Sequence, residues 1–323
     1  MLDNLSPIPD WTPIHRAQPI NIESPKPVKR KTGKHTTHVC LPDPQIGYRL
    51  YEDGTYDPFH DEKAMDIALQ ITSWLEENDR VDSVINLGDF LDLPAQGRFD
   101  QEAAFANTTQ SAFDRGHLFL QEQRAAAGPK ADIVLVEGNH DRRMEKFIVN
   151  NAASAYGIKR ANKNELPVMS IPYLLRLDEI GVKYIDAYPA GAHWITSRLR
   201  AVHGNKVRSN GSTAAAYTND APHISTIFGH VHRLEMQSKT VFDRDGEIRS
   251  VAVSPGCLCR VDGAVPGVNG STHIDGKPAK ITENWQQGVA IVTVEPDEKF
   301  FVELVQIDNG VAWFRGQRFT SKK

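Results

Sequence analysis

Apolar residues along the chain follow two periods. Over 60–78, HDEKAMDIALQITSWLEEN, they recur at Ala64, Ile67, Ala68, Ile71, Trp74 and Leu75, the three-and-four spacing of a helix with one buried face. HVCLP (38–42), VDSVINLG (81–88) and ADIVLVEG (131–138) are short, β-branched and nearly continuous in hydrophobicity, which predicts buried strands. FANTTQSAFDRGHLFLQEQRAAA (105–127) reads as a helix between the last two. Strands alternating with helices predict βαβ units and a mainly parallel core. MEKFIVNNAAS and SIPYLLRL predict two more helices. The second half is richer in strands: VKYIDAY, HWITSRLRAVHG, ISTIFGH, EMQSKTVF, EIRSVAVSPG, VAIVTVE, FFVELVQID and VAWFRGQRF, the later ones reading as a hairpin-rich sheet. Residues 1–35 have many prolines and little periodicity. They predict an extended, partly disordered arm that wraps the domain or a neighbouring subunit, followed by one domain over 36–323.

Composition narrows the class. The 323 residues are 40% hydrophobic and 24% charged, as in ordinary globular domains. No run approaches the ~18 apolar residues of a membrane helix. The N-terminus, MLDNLSPIPDWTPIHRAQPI, lacks the basic start and apolar core of a secretory signal. A cytoplasmic location with no membrane partner is expected. The net charge of −4 leaves no global field to attract nucleic acid. The local exception is KPVKRKTGKH (26–35), with Lys26, Lys29, Arg30, Lys31 and Lys34, read as a solvated linker or as an arm touching phosphates. Cys40, Cys257 and Cys259 make no disulfide framework, and C-x-C is the wrong spacing for a zinc knuckle. They are expected to be small, buried, strand-borne hydrophobes.

Five apolar runs end in residues that bind metals. HVCLPDPQIG ends in Asp43 and Gln45, VINLGDFLD in Asp89 and Asp92, and IVLVEGNHD in Asn139, His140 and Asp141. LRAVHG ends in His203, and TIFGHVH in His230 and His232. Singly, each has a bland reading. Asp43 before Pro44 suits a turn, and His203 alone suits a hydrogen-bonded core histidine. His230 and His232 would face opposite sides of a regular strand, so both must leave strand geometry to share a site. As an ordered set the residues predict convergence, because loops at strand C-termini form the ligand crevice of open α/β sheets. Oxygen and imidazole donors without thiolate suit Mn²⁺ first, with Fe, Zn²⁺ or Ni²⁺ as alternatives. The donors exceed the needs of one ion, and two divalent ions sharing Asp89 fit better.

The blocks D-x-Q, GDxxD, GNHD, VHG and GHVH, in this order over roughly 37–260, resemble the signature of the calcineurin-like metallophosphoesterases. The resemblance implies an α/β fold, a four-layer α/β/β/α sandwich of two mixed sheets flanked by helices. It implies one ion on Asp43, Gln45, Asp89 and His232, and a second on Asp89, Asn139, His203 and His230. A water or hydroxide between them would attack phosphorus in line. His140 would act as general acid, with Asp92 holding its tautomer. Asp141 would support the Asn139 turn, and SPGC (254–257) resembles the small-residue turn that follows the last block. Gln45 departs from the family's usual His. It is a neutral, weaker ligand, although some relatives that cleave nucleotide pyrophosphates also have Gln there.

The protein-phosphatase branch has GDxxDRG and GNHE. GDFLDLP and GNHD instead resemble the DNA exonuclease, nucleotidase and cyclic-nucleotide phosphodiesterase branches. The proline-rich arm resembles bacteriophage-encoded members, for which the location would be the host cytoplasm. Arg142, Arg143, Lys146, Lys159 and Arg160 follow GNHD, and Lys206 and Arg208 lie in HGNKVRSNGS. Such residues can hold a phosphate backbone, with Arg142, Lys206 and Arg208 the candidate contacts. A large DNA-capping domain is not expected, unless 260–323 supply a small one. The expected function is two-metal hydrolysis of phosphodiesters in nucleic acid or nucleotides. A phosphomonoesterase acting on nucleotides or small molecules, and a catalytically weak module binding nucleic acid or a partner, remain open alternatives.

Overall fold

The apolar run at 39–41 divides its side chains between two cores. In the computed structural model, β1 (Thr36–Leu41) sends Val39 and Leu41 to one face and Cys40 to the other. Successive strand residues face opposite sides, so a continuous apolar run is a strand covered on both. The structure describes residues 34–98, 101–163, 165–208, 211–244, 246–266, 273–274, 277–278 and 284–322.

After β1, a hairpin of β2 (Tyr48–Leu50) and β3 (Tyr56–Pro58) leads to α1 (Glu62–Asn78). Asp61 caps α1, its carboxylate accepting from the amides of Lys63 and Ala64. There follow β4 (Ser83–Asn86), α2 (Thr109–Ala127), β5 (Asp132–Val136), α3 (Arg143–Asn151), α4 (Ile171–Leu174), α5 (Leu177–Ile180) and β6 (Val182–Ile185). The next group is β7 (Ala192–Trp194), β8 (Leu199–Val202), α6 (Thr213–Asp220), β9 (Ser225–Phe228), β10 (Leu234–Asp243) and β11 (Gly246–Pro255). The short β12 (His273–Ile274) and β13 (Lys277–Pro278) precede β14 (Gln287–Val294), β15 (Phe300–Asp308), β16 (Val311–Phe314) and β17 (Gln317–Thr320).

The fold is mixed α/β with two large mixed sheets. The first has eight strands in the order β17-β16-β15-β14-β1-β4-β5-β6. Its β1, β4, β5 and β6 are parallel, and β14 joins β1 antiparallel. The late hairpins therefore extend the parallel core, and 287–320 form sheet and no cap over the strand ends. The second sheet has the order β10-β11-β9-β8-β7, with β8, β9 and β11 parallel. One cluster joins α1 and α2 to one face of the large sheet, through Ile67, Ile71 and Leu75 with Val84, Ile133 and Ile291. A second joins its other face to the smaller sheet, through Cys40, Ile85, Val134 and Ala290 with Leu199, Ala201, Ile227 and Val253. Each buried aliphatic side chain contributes about 1.5–3 kcal/mol. A third cluster packs Ala214 and Tyr217 of α6 against Val202, Phe228 and Ala252.

Three expectations are corrected. HWITSRLRAVHG is not one strand: it turns between β7 and β8, where Thr196 Oγ1 accepts from the amides of Arg198 (3.1 Å) and Leu199 (3.0 Å). SIPYLLRL is two short helices, broken at Arg176, whose φ is 55°. Of the cysteines only Cys40 lies on a regular strand; Cys257 and Cys259 sit on isolated bridges past β11. The arm expected over 1–35 lies outside the described residues except Lys34 and His35, where His35 Nε2 is 2.8 Å from Asp79 Oδ2. Among the described residues no helix is long and apolar enough to cross a membrane.

Candidate metal centre

The loops after β1 and β4 are joined by backbone. Gln45 N donates to Asp89 O (2.9 Å), Ile46 N to Phe90 O (2.9 Å), and Asp92 N to Ile46 O (3.0 Å). This continues the β1–β4 pairing beyond the strand ends and sets Asp43, Gln45, Asp89 and Asp92 side by side. The loop after β5 is tied in by Asp141, whose buried carboxylate accepts from Gly138 N (2.9 Å), Leu91 N (2.9 Å) and Phe90 N (3.2 Å). Three backbone donors on one carboxylate hold the Asn139 turn against the Asp89 loop. From the smaller sheet, His203 follows β8, and His230 and His232 follow β9.

Five of these residues have left-handed backbones, with φ of 38° at Asp43, 46° at Gln45, 45° at Asp89, 71° at His230 and 55° at His232. Such conformations cost about 1–3 kcal/mol each outside glycine and cluster at functional sites. They also resolve the spacing of His230 and His232, since neither is in strand geometry.

Donor atoms of Asp89, His203 and His230 lie within 4.8 Å of one another, and so do those of Asp43, Asp89 and His232. Asp89 belongs to both groups. His203 Nδ1 donates to Leu87 O (2.9 Å), which turns Nε2 towards Asn139 Oδ1 (3.0 Å) and Asp89 Oδ1 (3.3 Å). His232 Nε2 stands 3.3 Å from Asp43 Oδ1 and 3.4 Å from Gln45 Nε2. The Asp43 and Asp89 carboxylates also accept from backbone, at His230 N (2.9 Å) and His140 N (2.8 Å) respectively.

Charge follows this geometry. Burial opposes ionisation of Asp89, but His140 and His203 outweigh it and hold the carboxyl well below its usual range. Burial likewise opposes charge on His203, yet Asp89 raises its imidazole to about 9. His230 is pushed down to about 4 by burial and by the charge on His203. Positive charge on His203 thus offsets the buried Asp89 carboxylate, and this proton would have to leave before Nε2 could hold a cation.

His140 Nδ1 donates to Asp92 Oδ1 (2.5 Å), and Asp92 also accepts from Arg143 Nη1 (2.7 Å). Burial opposes the charge on Asp92, but His140 and Arg143 outweigh it and lower its pKa. His140 Nε2 is left 3.8 Å from Asp89 Oδ2, within reach of Arg143 Nη2 at 3.1 Å. That nitrogen accepts from the guanidinium here, so donating a proton requires Arg143 to turn towards substrate.

A cavity of about 610 Å³ opens over the cluster, and His140, Arg143 and Lys146 are among the residues lining it. Arg142, Lys206 and Arg208, the contacts expected from sequence, do not line it. Arg142 Nη1 donates to Tyr188 O and so steadies a wall residue; Lys206 pairs with Asp220, and Arg208 N donates to Thr213 Oγ1. The cations on the wall are Arg98, Arg143 and Lys146, beside the aromatic Phe147, Tyr188 and Trp285. Arg143, Lys146, Phe147 and Asn150 share one face of α3 at helical spacing, a signal present in the sequence once the helix start is known. Compared with protein-family models and with curated proteins, the chain matches none.

Proposed function

We propose that this chain is a metal-dependent phosphoesterase of the calcineurin-like kind, cleaving phosphodiesters in nucleic acid or nucleotides. The observation that carries the reading is the pair of donor groups sharing Asp89, drawn from four loops, with Asp89, His230 and His232 lining one cavity. The sequence of α1 and α2, large sheet, small sheet and α6 supports the four-layer sandwich.

The donor set fits a pair of divalent cations. Asp43 Oδ2 and Gln45 Oε1 are buried without a hydrogen-bond partner. An unsatisfied buried polar atom costs about 1–3 kcal/mol, and a cation would supply what each lacks. Asp43, Gln45, Asp89 and His232 would hold one ion; Asp89, Asn139, His203 and His230 would hold the other. Oxygen and imidazole donors favour Mn²⁺, with Fe, Zn²⁺ and Ni²⁺ able to substitute. Bound there, two such ions supply Lewis-acid charge and make water nucleophilic near neutral pH.

The chain's own groups complete the site. Leu87 O fixes the His203 ring so that Nε2 faces the cluster. Asp92 holds His140 Nδ1, leaving Nε2 on the cavity side; once Arg143 has turned to substrate, Nε2 can take a proton from solvent and pass it to the leaving oxygen. Arg143, Lys146 and Arg98 set positive charge where the phosphates flanking the scissile one would lie.

The test is Mn²⁺-dependent hydrolysis of bis-p-nitrophenyl phosphate, its monoester, and single- and double-stranded DNA. Faster cleavage of the diester and of DNA than of the monoester is expected. Preference for the monoester would favour a phosphomonoesterase, and DNA binding without turnover would favour a binding module.

A further inference from the structure

Cys257, Leu258 and Cys259 run past β11 pinned by bridges of Cys257 to Gln287 and of Cys259 to His60. In an extended segment, residues two apart point to the same side. Leu258 enters the cluster beneath α1, whereas both cysteines share a small apolar cluster with Phe59, Phe105 and Val265. The His232 ring reaches the thiols, its Nδ1 3.8 Å from Cys259 Sγ. The two Sγ atoms and a ring nitrogen of His232 all lie within 4.8 Å of one another, and the three residues are buried.

The contacts of Cys257 Sγ to protein are long, 3.6 Å to Gln286 O and 3.8 Å to Cys259 O. The Trp285 ring, centred 4.2 Å from that of His232, stands edge-on to it. One imidazole therefore separates an oxygen-rich cluster at Nε2 from a sulfur pair at Nδ1.

We propose that Cys257, Cys259 and Nδ1 of His232 form a site for a thiophilic cation, Zn²⁺ or Cu⁺, distinct from the oxygen-rich cluster. Thiolates select such ions over Mg²⁺ or Mn²⁺. Zn–S and Zn–N bonds of about 2.3 and 2.0–2.1 Å in a tetrahedron set ligand atoms roughly 3.5–3.8 Å apart. The separation of Cys259 Sγ and His232 Nδ1 is already in that range. As the sulfur–cation bonds form, the thiol protons leave to solvent. A corollary rests on the function proposed above: a cation on Nδ1 leaves the ring proton on Nε2, so an ion shared by His232 and Asp43 would bind there only if that proton also left to solvent, and so more weakly. The thiol site itself does not depend on that reading.

The test is titration of the reduced chain with Cd²⁺ in excess Mn²⁺, following the ultraviolet thiolate-to-cadmium charge-transfer band. One band-forming equivalent per chain is expected, abolished in C257S/C259S and unchanged in Cys40→Ala and Asp89→Asn. Absence of the band from the native chain, or its persistence in the double variant, overturns the site. X-ray absorption at the zinc edge of the Zn²⁺-loaded native chain needs no substitution. Two sulfur scatterers at about 2.3 Å are expected, and a shell of oxygen and nitrogen alone overturns the proposal. A chain that forms the band but shows no Mn²⁺-dependent hydrolysis refutes the phosphoesterase reading and leaves the thiol site standing.

Discussion

Gly138 and Asp89 approach so closely that a Cβ on Gly138 would lie 2.1 Å from the Asp89 amide nitrogen and 2.2 Å from its Oδ1. No rotamer change relieves a clash with backbone. Gly138→Ala must therefore push the Asn139 turn away from the residue common to both donor groups. The expected result is a stability loss of about 2–3 kcal/mol by chemical denaturation, with weaker Mn²⁺ binding. Native stability and affinity in this variant would contradict the packing described.

His140 and Asp92 act together. His140→Ala should lower diester turnover by about 10²–10⁴-fold while metal content by elemental analysis stays unchanged. Asp92→Asn, which leaves Nδ1 poorly held, should cost about 10–100-fold. Wild-type turnover in His140→Ala would remove its role as acid.

Loss of the shared carboxylate should affect both ions. Asp89→Asn is expected to lower bound Mn²⁺ from two equivalents towards none, whereas His203→Ala should release mainly one. Gln45→His puts a stronger donor at a left-handed position that histidine tolerates. Calorimetry should show tighter Mn²⁺ binding in that variant, and unchanged affinity would mean that residue 45 is not a ligand.

The cavity wall separates two sets of cations. Lys146→Ala should raise KM for DNA several-fold and reduce the salt dependence of binding. Lys206→Ala, paired with Asp220 away from the cavity, should leave KM within twofold. The reverse ranking would relocate the substrate path.

A pH effect on stability is expected at Glu62, which is outside the donor groups. Burial opposes its charge, but a two-pronged bond from Arg115, Nε at 2.7 Å and Nη2 at 2.8 Å, outweighs burial and holds the carboxyl below its ordinary 4.5. A lowered folded-state pKa stabilises above the unfolded value, and this is lost as pH falls from there towards the folded value. The side chain is one-third exposed, so screening keeps the contribution near ~1 kcal/mol. Glu62→Gln should therefore destabilise the chain at pH 7 and progressively less below about 4.5. Equal differences in denaturation midpoint at pH 7 and pH 3 would sink the assignment.

The strand ends could be read from sequence because one rule covers them: an apolar run stops and polar donors follow, at Asp43, Asp89, Asn139, His203 and His230. That rule is local, and what escaped it is not. Nothing in the periodicity of 289–295 says that β14 pairs with β1, since alternation reveals faces and not neighbours. Arg142 follows GNHD directly, but choosing between it and Arg143 needs the start of α3, since one residue turns a helix by about 100°. Cys257 and Cys259 are buried as expected, but their nearness to His232 is not legible in the sequence because it arises from bridges to His60 and Gln287.

The β1–β14 register, joining His38 to Val292, also bears on how the chain is made. As it leaves the ribosome, β1 can take β4 as a partner early, while its other edge stays open until β14 emerges. An open apolar edge invites pairing with other chains, and distant pairings form slowly. The strand leading into Asp43 thus stays open to misassembly during translation until it gains a neighbour that contributes no ligand.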